Sequence, residues 1–177
     1  MRLPSVIPAA TAALFLASAA FAQCGEGVQK VCYGVNGGSS QGLDLDDLQY
    51  VADYLRYIGE SQPGALFTMP GGFVCQEWGI EVPGAGTVLP LAKQTGPRVT
   101  SSVLYADIAD TIDGGLDATA SQRAASLVGC AANGGQIGIK TDTTNPYYNT
   151  PQYVASGAKP TGLVIKVVRA PGSKKLR

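Results

Sequence analysis

The four cysteines of this 177-residue chain constrain its fold more than any other sequence feature. They are separated by 8, 43 and 55 positions and lie at Cys24, Cys32, Cys75 and Cys130. A structural zinc site on four thiolates needs paired short spacings such as C-x-x-C, which this chain lacks. In an oxidising compartment an even set of cysteines forms disulfides, and four cysteines allow three connectivities. The sequence therefore predicts two disulfides without choosing their pairing.

The first 22 residues indicate that the chain reaches such a compartment. Arg2 precedes an apolar stretch from Val6 to Ala20, and Ala20-Phe21-Ala22 has the small-x-small form that signal peptidase cleaves. Pro8 and the lack of any later apolar run of about 20 residues disfavour a membrane anchor. We therefore expect residues 1–22 to be a removed signal peptide, Gln23 to become the first residue, and the protein to be secreted.

Composition narrows the classes of function. The chain contains no histidine, which excludes His-dependent general bases, His-activated nucleophiles and imidazole metal sites. Basic and acidic residues balance at 13 each, so no large cationic field attracts nucleic acid. Neither a phosphate-binding P-loop nor a dinucleotide-binding glycine motif is present. We therefore expect no cofactor, no metal and no nucleic-acid partner, and no recognisable motif supports an enzymatic activity.

Hydrophobic periodicity predicts one α+β domain over residues 23–171. Apolar residues recur every three or four positions from Leu45 to Ile58, which predicts a helix capped by Asp44 and ended by Gly59. Further helices are predicted over 101–113 and 119–132, and strands over 28–35, 65–69, 73–82, 87–93, 136–140 and 162–168. This order predicts helices packed on one face of a largely antiparallel sheet, a disulfide-stapled two-layer α/β sandwich. Strand 162–168 is apolar enough to lie at the centre of the sheet. Residues 172–177, at the end of the chain, are expected to form a mobile basic tail.

Two carboxylates that flank Trp78 are better explained as surface charges than as a glycosidase pair. Glu77 and Glu81 are separated by about 13 Å of strand, whereas paired catalytic carboxylates lie about 5–9.5 Å apart. Trp78 shares its strand face with Ile80 and Val82, which predicts a core anchor.

A second acidic pattern, formed by Asp107, Asp110 and Asp113, recurs every three residues. On a helix this spacing forms a stripe where a cation would bind, but a solvated helix face explains it better.

Three tyrosines are the binding residues that the sequence predicts, namely Tyr147, Tyr148 and Tyr153. They lie in residues 141–160, which are rich in Thr, Asn and Pro and are predicted to form a long loop. Loops often carry functional aromatic side chains, and the sequence gives this loop no structural role. Either a protein surface or a stacked carbohydrate would suit these side chains as a ligand.

A second group of tyrosines lies beside the apolar stripe of the first helix and consists of Tyr50, Tyr54 and Tyr57. These side chains either cover the edge of the core or form an exposed ridge.

Four short strings resemble segments of the small secreted proteins of filamentous fungi. They are Cys32-Tyr-Gly, Val74-Cys-Gln-Glu-Trp78, residues 101–108 together with Ile112-Asp-Gly-Gly115, and Gly129-Cys-Ala-Ala132. The predicted architecture is similar to that of the killer toxins of smut fungi, which are α/β sandwiches stapled by disulfides. This resemblance implies a secreted effector or toxin-like protein that binds a host or competitor target, either a protein or a cell-wall glycan. The alternative is a small secreted carbohydrate-binding or carbohydrate-active cell-wall protein. The resemblance transfers no site residue.

Overall fold

The computed structural model describes residues 25–72, 75–96 and 98–173. The predicted signal peptide, Cys24 and residues 174–177 of the predicted tail lie outside these ranges. The strands are β1 (Val31–Cys32), β2 (Leu66–Met69), β3 (Glu77–Gly79), β4 (Val88–Gln94), β5 (Ser101–Leu104), β6 (Gly135–Gly138) and β7 (Leu163–Arg169). The helices are α1 (Leu45–Ser61), α2 (Tyr105–Asp113), α3 (Ala120–Ala125) and α4 (Pro151–Ser156), with 3-10 segments at Val128–Asn133 and Pro146–Asn149. No helix within the described ranges combines the length and the apolar character needed to cross a membrane.

Five strands form an antiparallel sheet in the order β1-β6-β7-β4-β3. The apolar strand β7 is central, as predicted, and its Ile165 pairs with Ala92 on one side and Ile137 on the other. β1 and β3 form the two edges and are much shorter than the predicted strands 28–35 and 73–82. A separate antiparallel pair joins β2 to β5. The predicted α+β class is confirmed.

The main core lies between the five-stranded sheet and the helices α1 and α2. Its buried side chains include Leu48 and Leu55 from α1, Ile108 from α2, and Ile165 from β7. In β3 and the residues that follow it, Ile80 is buried, and Trp78 and Val82 are partly buried against this core. The predicted alternation, with these three side chains on the core face, is confirmed.

The first helix begins as predicted and ends later than predicted. The Asp44 side chain caps it by accepting hydrogen bonds from the backbone N–H groups of Asp46 and Asp47. Gly59 does not end the helix, which continues to Ser61. A Cβ at Gly59 would lie 3.3 Å from the Cβ of Ala106 in α2, so this glycine allows the two helices to approach closely.

The two other predicted helices are also corrected. Residues 101–104 are strand β5 rather than the first turn of α2, because all four are buried and pair with β2. α2 ends at Gly114 in the left-handed conformation, as predicted. α3 stops at Ala125, and the chain continues as a 3-10 segment that brings Cys130 to the sheet.

One disulfide joins Cys32 in β1 to Cys130 in that 3-10 segment, with the two Cα atoms 5.1 Å apart. It closes a loop of 98 residues, and the chain-entropy model assigns such a loop about 4–5 kcal/mol of stabilisation. No cysteine among the described residues is free, Cys75 included. The predicted cross-linking of distant segments is thus confirmed for Cys32 and Cys130.

Candidate functional site

Half of the segment 141–160, which contains the three predicted binding tyrosines, is helical, so the segment is not the long loop that the sequence predicts. Asn145 and Thr150 each precede a proline, and each side chain accepts a hydrogen bond from a backbone N–H two or three residues later. A capping residue followed by proline at the first helical position is a helix start signal. The segment therefore forms a 3-10 turn and α4, which hold the tyrosines in fixed positions.

Tyr148 anchors this segment inside the protein. Its ring is 5% exposed, its hydroxyl donates to Asp107 Oδ2 at 2.5 Å, and it accepts from the backbone N–H of Leu104 at 2.8 Å. Burial and the adjacent Asp107 carboxylate both raise the pKa of Tyr148, so the hydroxyl stays neutral. Burial also raises the pKa of Asp107 and outweighs the lowering effect of the Tyr148 hydroxyl. Tyr148 thus ties the segment to the junction between β5 and α2.

Tyr153 is the second anchor. Its ring is 7% exposed and meets Tyr148 edge-on, with ring centroids 5.2 Å apart. Its hydroxyl donates to the carbonyl oxygen of Ser102 in β5 at 2.8 Å. Together with Tyr148, it forms a small second core that also includes Leu104 and Ala158.

Tyr147 lies at the surface, with 38% of its area exposed. Its ring lies directly over Gly64, because a Cβ at Gly64 would be only 2.6 Å from Tyr147 Cδ1. Gly64 also has φ +83°, a conformation that favours glycine. Among the three predicted tyrosines, Tyr147 alone offers a broadly exposed ring. A binding role for the three tyrosines remains a prediction.

A groove of about 290 Å³ separates the tyrosine segment from the pair of strands β2 and β5. Apolar and aromatic groups on its walls come from Leu66, Tyr147, Tyr153 and Ala158. Hydroxyl and amide groups come from Thr68, Thr100, Ser102, Thr150, Gln152 and Ser156. We name it the Tyr147 groove. The described residues that line it include no Asp, Glu, Lys or Arg.

Several hydroxyls of the Tyr147 groove already donate their hydrogen inside the protein. Thr150 Oγ1 donates to the Tyr147 carbonyl at 3.0 Å, and Ser156 Oγ donates to the Tyr153 carbonyl at 2.6 Å. Thr68 Oγ1 and Ser102 Oγ share a hydrogen bond of 2.7 Å across the two strands. Since each hydroxyl has one hydrogen and two acceptor positions, these groups offer mainly acceptor capacity to a ligand.

The acidic pattern on α2 is only partly the predicted solvated stripe, because Asp110 is exposed whereas Asp107 and Asp113 are buried. Arg56 of α1 is itself buried and donates to Asp110 at 3.0 Å and to Asp113 at 2.8 Å. Asp113 is 2% exposed, and Asp107 is buried against Tyr148. Burial opposes the charged form of Arg56, but the hydrogen bonds that Arg56 donates to Asp110 and Asp113 outweigh this effect and raise the pKa of Arg56. Arg56 of α1 thus covers Asp113, while Asp110 at the edge of the same ion pair stays open to solvent.

A second charged cluster lies on the sheet face opposite α1 and α2. Lys166 of β7 is almost fully buried and donates to Glu26 at 2.7 Å and to Glu77 at 2.5 Å. Lys93 lies 3.2 Å from the same Glu26 oxygen. Glu77 is exposed, as expected of a surface charge, and its carboxylate is in addition paired with a buried lysine. Burial opposes ionisation of Glu26, but Lys166 and Lys93 outweigh it and lower its pKa.

No group of three or more Cys, Asp or Glu side chains in the described ranges is arranged to hold a metal ion. Comparison of the chain with protein-family models, with curated proteins and with solved structures finds no match. The resemblance to the killer toxins of smut fungi and the secretion of the protein therefore stay predictions. The Tyr147 groove is the candidate functional site.

Proposed function

We propose that this protein is a secreted, effector- or toxin-like binding protein that recognises an extracellular target of a host or competitor through the Tyr147 groove. The observation that carries this proposal is the position of Tyr147. Its ring is exposed at the edge of a groove while Tyr148 and Tyr153, its neighbours in sequence, are locked in the interior. An aromatic ring held rigidly at the surface loses little conformational entropy when a ligand covers it.

The charges of the described residues support binding rather than turnover. The carboxylates of Asp110 and Asp113 are paired with Arg56, and those of Glu26 and Glu77 are paired with Lys166. No carboxylate lines the Tyr147 groove among the described residues, although glycoside hydrolysis needs two. The geometry therefore favours recognition without chemistry at this groove.

Binding of the purified, fluorescently labelled protein to intact fungal and plant cells tests the proposal. We expect Tyr147→Ala to weaken cell binding about tenfold or more, because truncation of an aromatic anchor at a binding hot spot typically costs about 2 kcal/mol and about 1.4 kcal/mol already gives tenfold. Tyr57→Ala is the matched control, since Tyr57 on α1 is 62% exposed and does not line the groove. If both variants fold and bind like the wild type, the Tyr147 groove is not the recognition site.

Secretion is tested separately by expressing the full chain in a fungal host. We expect the protein in the medium to begin at Gln23 and to contain no free thiol. Recovery from the cytosol with an intact leader and four free thiols would contradict the proposal.

A further inference from the structure

We infer that the ligand of the Tyr147 groove is an uncharged sugar chain, such as a neutral cell-wall glycan. This inference rests on the proposed function, because it names the class of ligand for the same groove. Four properties of the groove support a neutral sugar ligand. They are the charge, the hydrogen-bonding capacity and the aromatic surface of the described lining residues, and the size of the space that these residues enclose.

The absence of charged side chains among the described lining residues selects an uncharged ligand. Other surface grooves formed by described residues differ in this respect. One contains Asp46 and Arg123, another contains Lys30 and Lys140, and a third contains Lys159. A charged ligand in the Tyr147 groove would lose hydration without gaining an ion pair, which is unfavourable. Acidic peptides, phosphates and uronic acids are therefore poor candidates.

The hydrogen-bonding groups of the groove match a ligand rich in hydroxyls. Thr150 and Ser156 each donate inside the protein and accept from a backbone N–H, so each retains acceptor capacity. Thr100 Oγ1 accepts from the backbone N–H of Gly71, so its own hydrogen stays available. Gln152 is exposed and adds both a donor and an acceptor group. A sugar ring presents several hydroxyls that each donate and accept, whereas a peptide backbone presents one N–H and one C=O per residue, so a sugar supplies more donors to these acceptor groups in the same space.

The aromatic wall supplies the apolar part of sugar recognition. The exposed face of the Tyr147 ring carries partial negative charge, which attracts the weakly positive C–H groups on one face of a pyranose ring, and the largely buried Tyr153 adds only a small apolar surface to the groove. Tyr147 is held over Gly64, and Tyr153 is fixed by its hydrogen bond to Ser102. Burial raises the pKa of Tyr153, so this ring stays neutral in water. The walls are thus formed before the ligand arrives, which lowers the entropic cost of binding.

The size of the groove limits the ligand to a short piece of chain. Its volume of about 290 Å³ lies just below the usual range for small-molecule sites, about 300–1,000 Å³. This space accommodates one sugar ring or a disaccharide unit, so recognition of a polymer takes place at a chain end or a short exposed stretch.

Calorimetric titration with defined oligosaccharides tests the inference. The neutral probes are laminarihexaose, N-acetylchitohexaose and mannohexaose, and the charged probe is hexagalacturonate. We expect saturable binding of at least one neutral probe, no binding of hexagalacturonate, and an affinity that does not change between about 50 and 500 mM NaCl, since screening acts on charges. Tyr147→Ala should weaken this binding about tenfold, Tyr147→Phe should retain it, and Tyr57→Ala should leave it unchanged.

The outcomes separate this inference from the proposed function. If no neutral probe binds while Tyr147→Ala still abolishes binding to cells, the glycan inference is wrong and the groove recognises a protein. If a neutral probe binds equally well to wild type and to folded Tyr147→Ala, the glycan site lies elsewhere and the inference is also wrong. If Tyr147→Ala changes neither glycan binding nor cell binding, both proposals fail.

Discussion

The Tyr148 hydroxyl donates a 2.5 Å hydrogen bond to Asp107 Oδ2, and this contact joins the tyrosine segment to α2. The same hydroxyl accepts from the backbone N–H of Leu104, so one oxygen satisfies two buried groups. The carboxylate of Asp107 also accepts from the N–H of Asp142, at 3.4 Å. The position of the candidate site thus depends on a contact in the protein interior.

Replacement of Tyr148 by Phe should destabilise the protein by about 2–3 kcal/mol at neutral pH, because it leaves a buried carboxylate and a buried N–H without their shared partner. Chemical denaturation of the wild type and variant measures this difference. Tyr50→Phe is the control, since the Tyr50 hydroxyl donates to the Pro83 carbonyl at an exposed position. Equal losses in the two variants would contradict the proposed importance of the buried contact.

The cost of Tyr148→Phe should also depend on pH. The pKa of Asp107 is higher in the folded protein than in the unfolded chain. Ionisation of Asp107 therefore lowers the free energy of unfolding as the pH rises through the ordinary pKa of an aspartate and above it. The Tyr148 hydroxyl limits that penalty by stabilising the ionised form. We therefore expect a smaller loss at about pH 3, where Asp107 gains a proton, than at about pH 7. The same loss at both pH values would be inconsistent with an ionised Asp107 at neutral pH.

Substitution of Gly64 by Ala should weaken ligand binding, because the added Cβ would occupy space filled by the Tyr147 ring. Cell binding and oligosaccharide titration measure the effect, which we expect to be about fivefold or more since the aromatic anchor moves. Both Gly64 and Gly72 have positive φ, but a Cβ at Gly72 meets nothing within 4 Å. Gly72→Ala therefore controls for the backbone cost of about 1 kcal/mol. Equal binding by the two variants would show that the position of Tyr147 is unimportant.

Acid should weaken the fold partly through Glu26. Its pKa is lowered in the folded protein, so its contribution to stability is present above the ordinary glutamate pKa of about 4.3 and is lost as the pH falls through the folded value. In Glu26→Gln we expect a shallower decline of unfolding free energy between about pH 5 and pH 2 than in the wild type. Exposed Glu60 provides the control variant Glu60→Gln. Identical pH profiles for wild type and Glu26→Gln would refute this role.

Removal of the Cys32–Cys130 disulfide should cost about 4–5 kcal/mol, because the cross-link closes a 98-residue loop and restricts the unfolded chain. The double variant Cys32→Ala/Cys130→Ala, compared with wild type in a thermal melt, measures the loss. Addition of reductant should lower the Tm of the double variant less than that of the wild type. A double variant as stable as the oxidised wild type would contradict the prediction.

Local sequence signals predicted the parts of the fold that depend on neighbouring residues. The start of α1 depends on the side chain of Asp44 and was therefore correctly predicted. Strand β7 is apolar along most of its length, so its central place in the sheet followed from composition. The starts of the two short helices at Pro146 and Pro151 were also marked locally, but each helix is too short to show a hydrophobic period.

Contacts between residues distant in sequence account for the incorrect predictions. Residues 101–104 form a strand because β2 pairs with them, and nothing within the segment itself indicates that partner. Asp113 is buried because Arg56 reaches it from another helix, 57 positions earlier. The composition of residues 141–160 predicts Tyr147 as a binding residue. The groove beside Tyr147 is also lined by Gly64 and Ser102, which come from other segments of the chain. These residues carry no sequence signal for binding.

The tyrosine segment follows Cys130 and so lies outside the covalent loop that the disulfide closes. Its attachment depends instead on Tyr148 and Tyr153, which point inward, while the residue before each of them, Tyr147 and Gln152, is exposed. Selection can therefore exchange the outward side chains without disturbing the anchors. If the Tyr147 groove binds a target as we propose, such an arrangement would let a lineage change its target while it inherits the same scaffold.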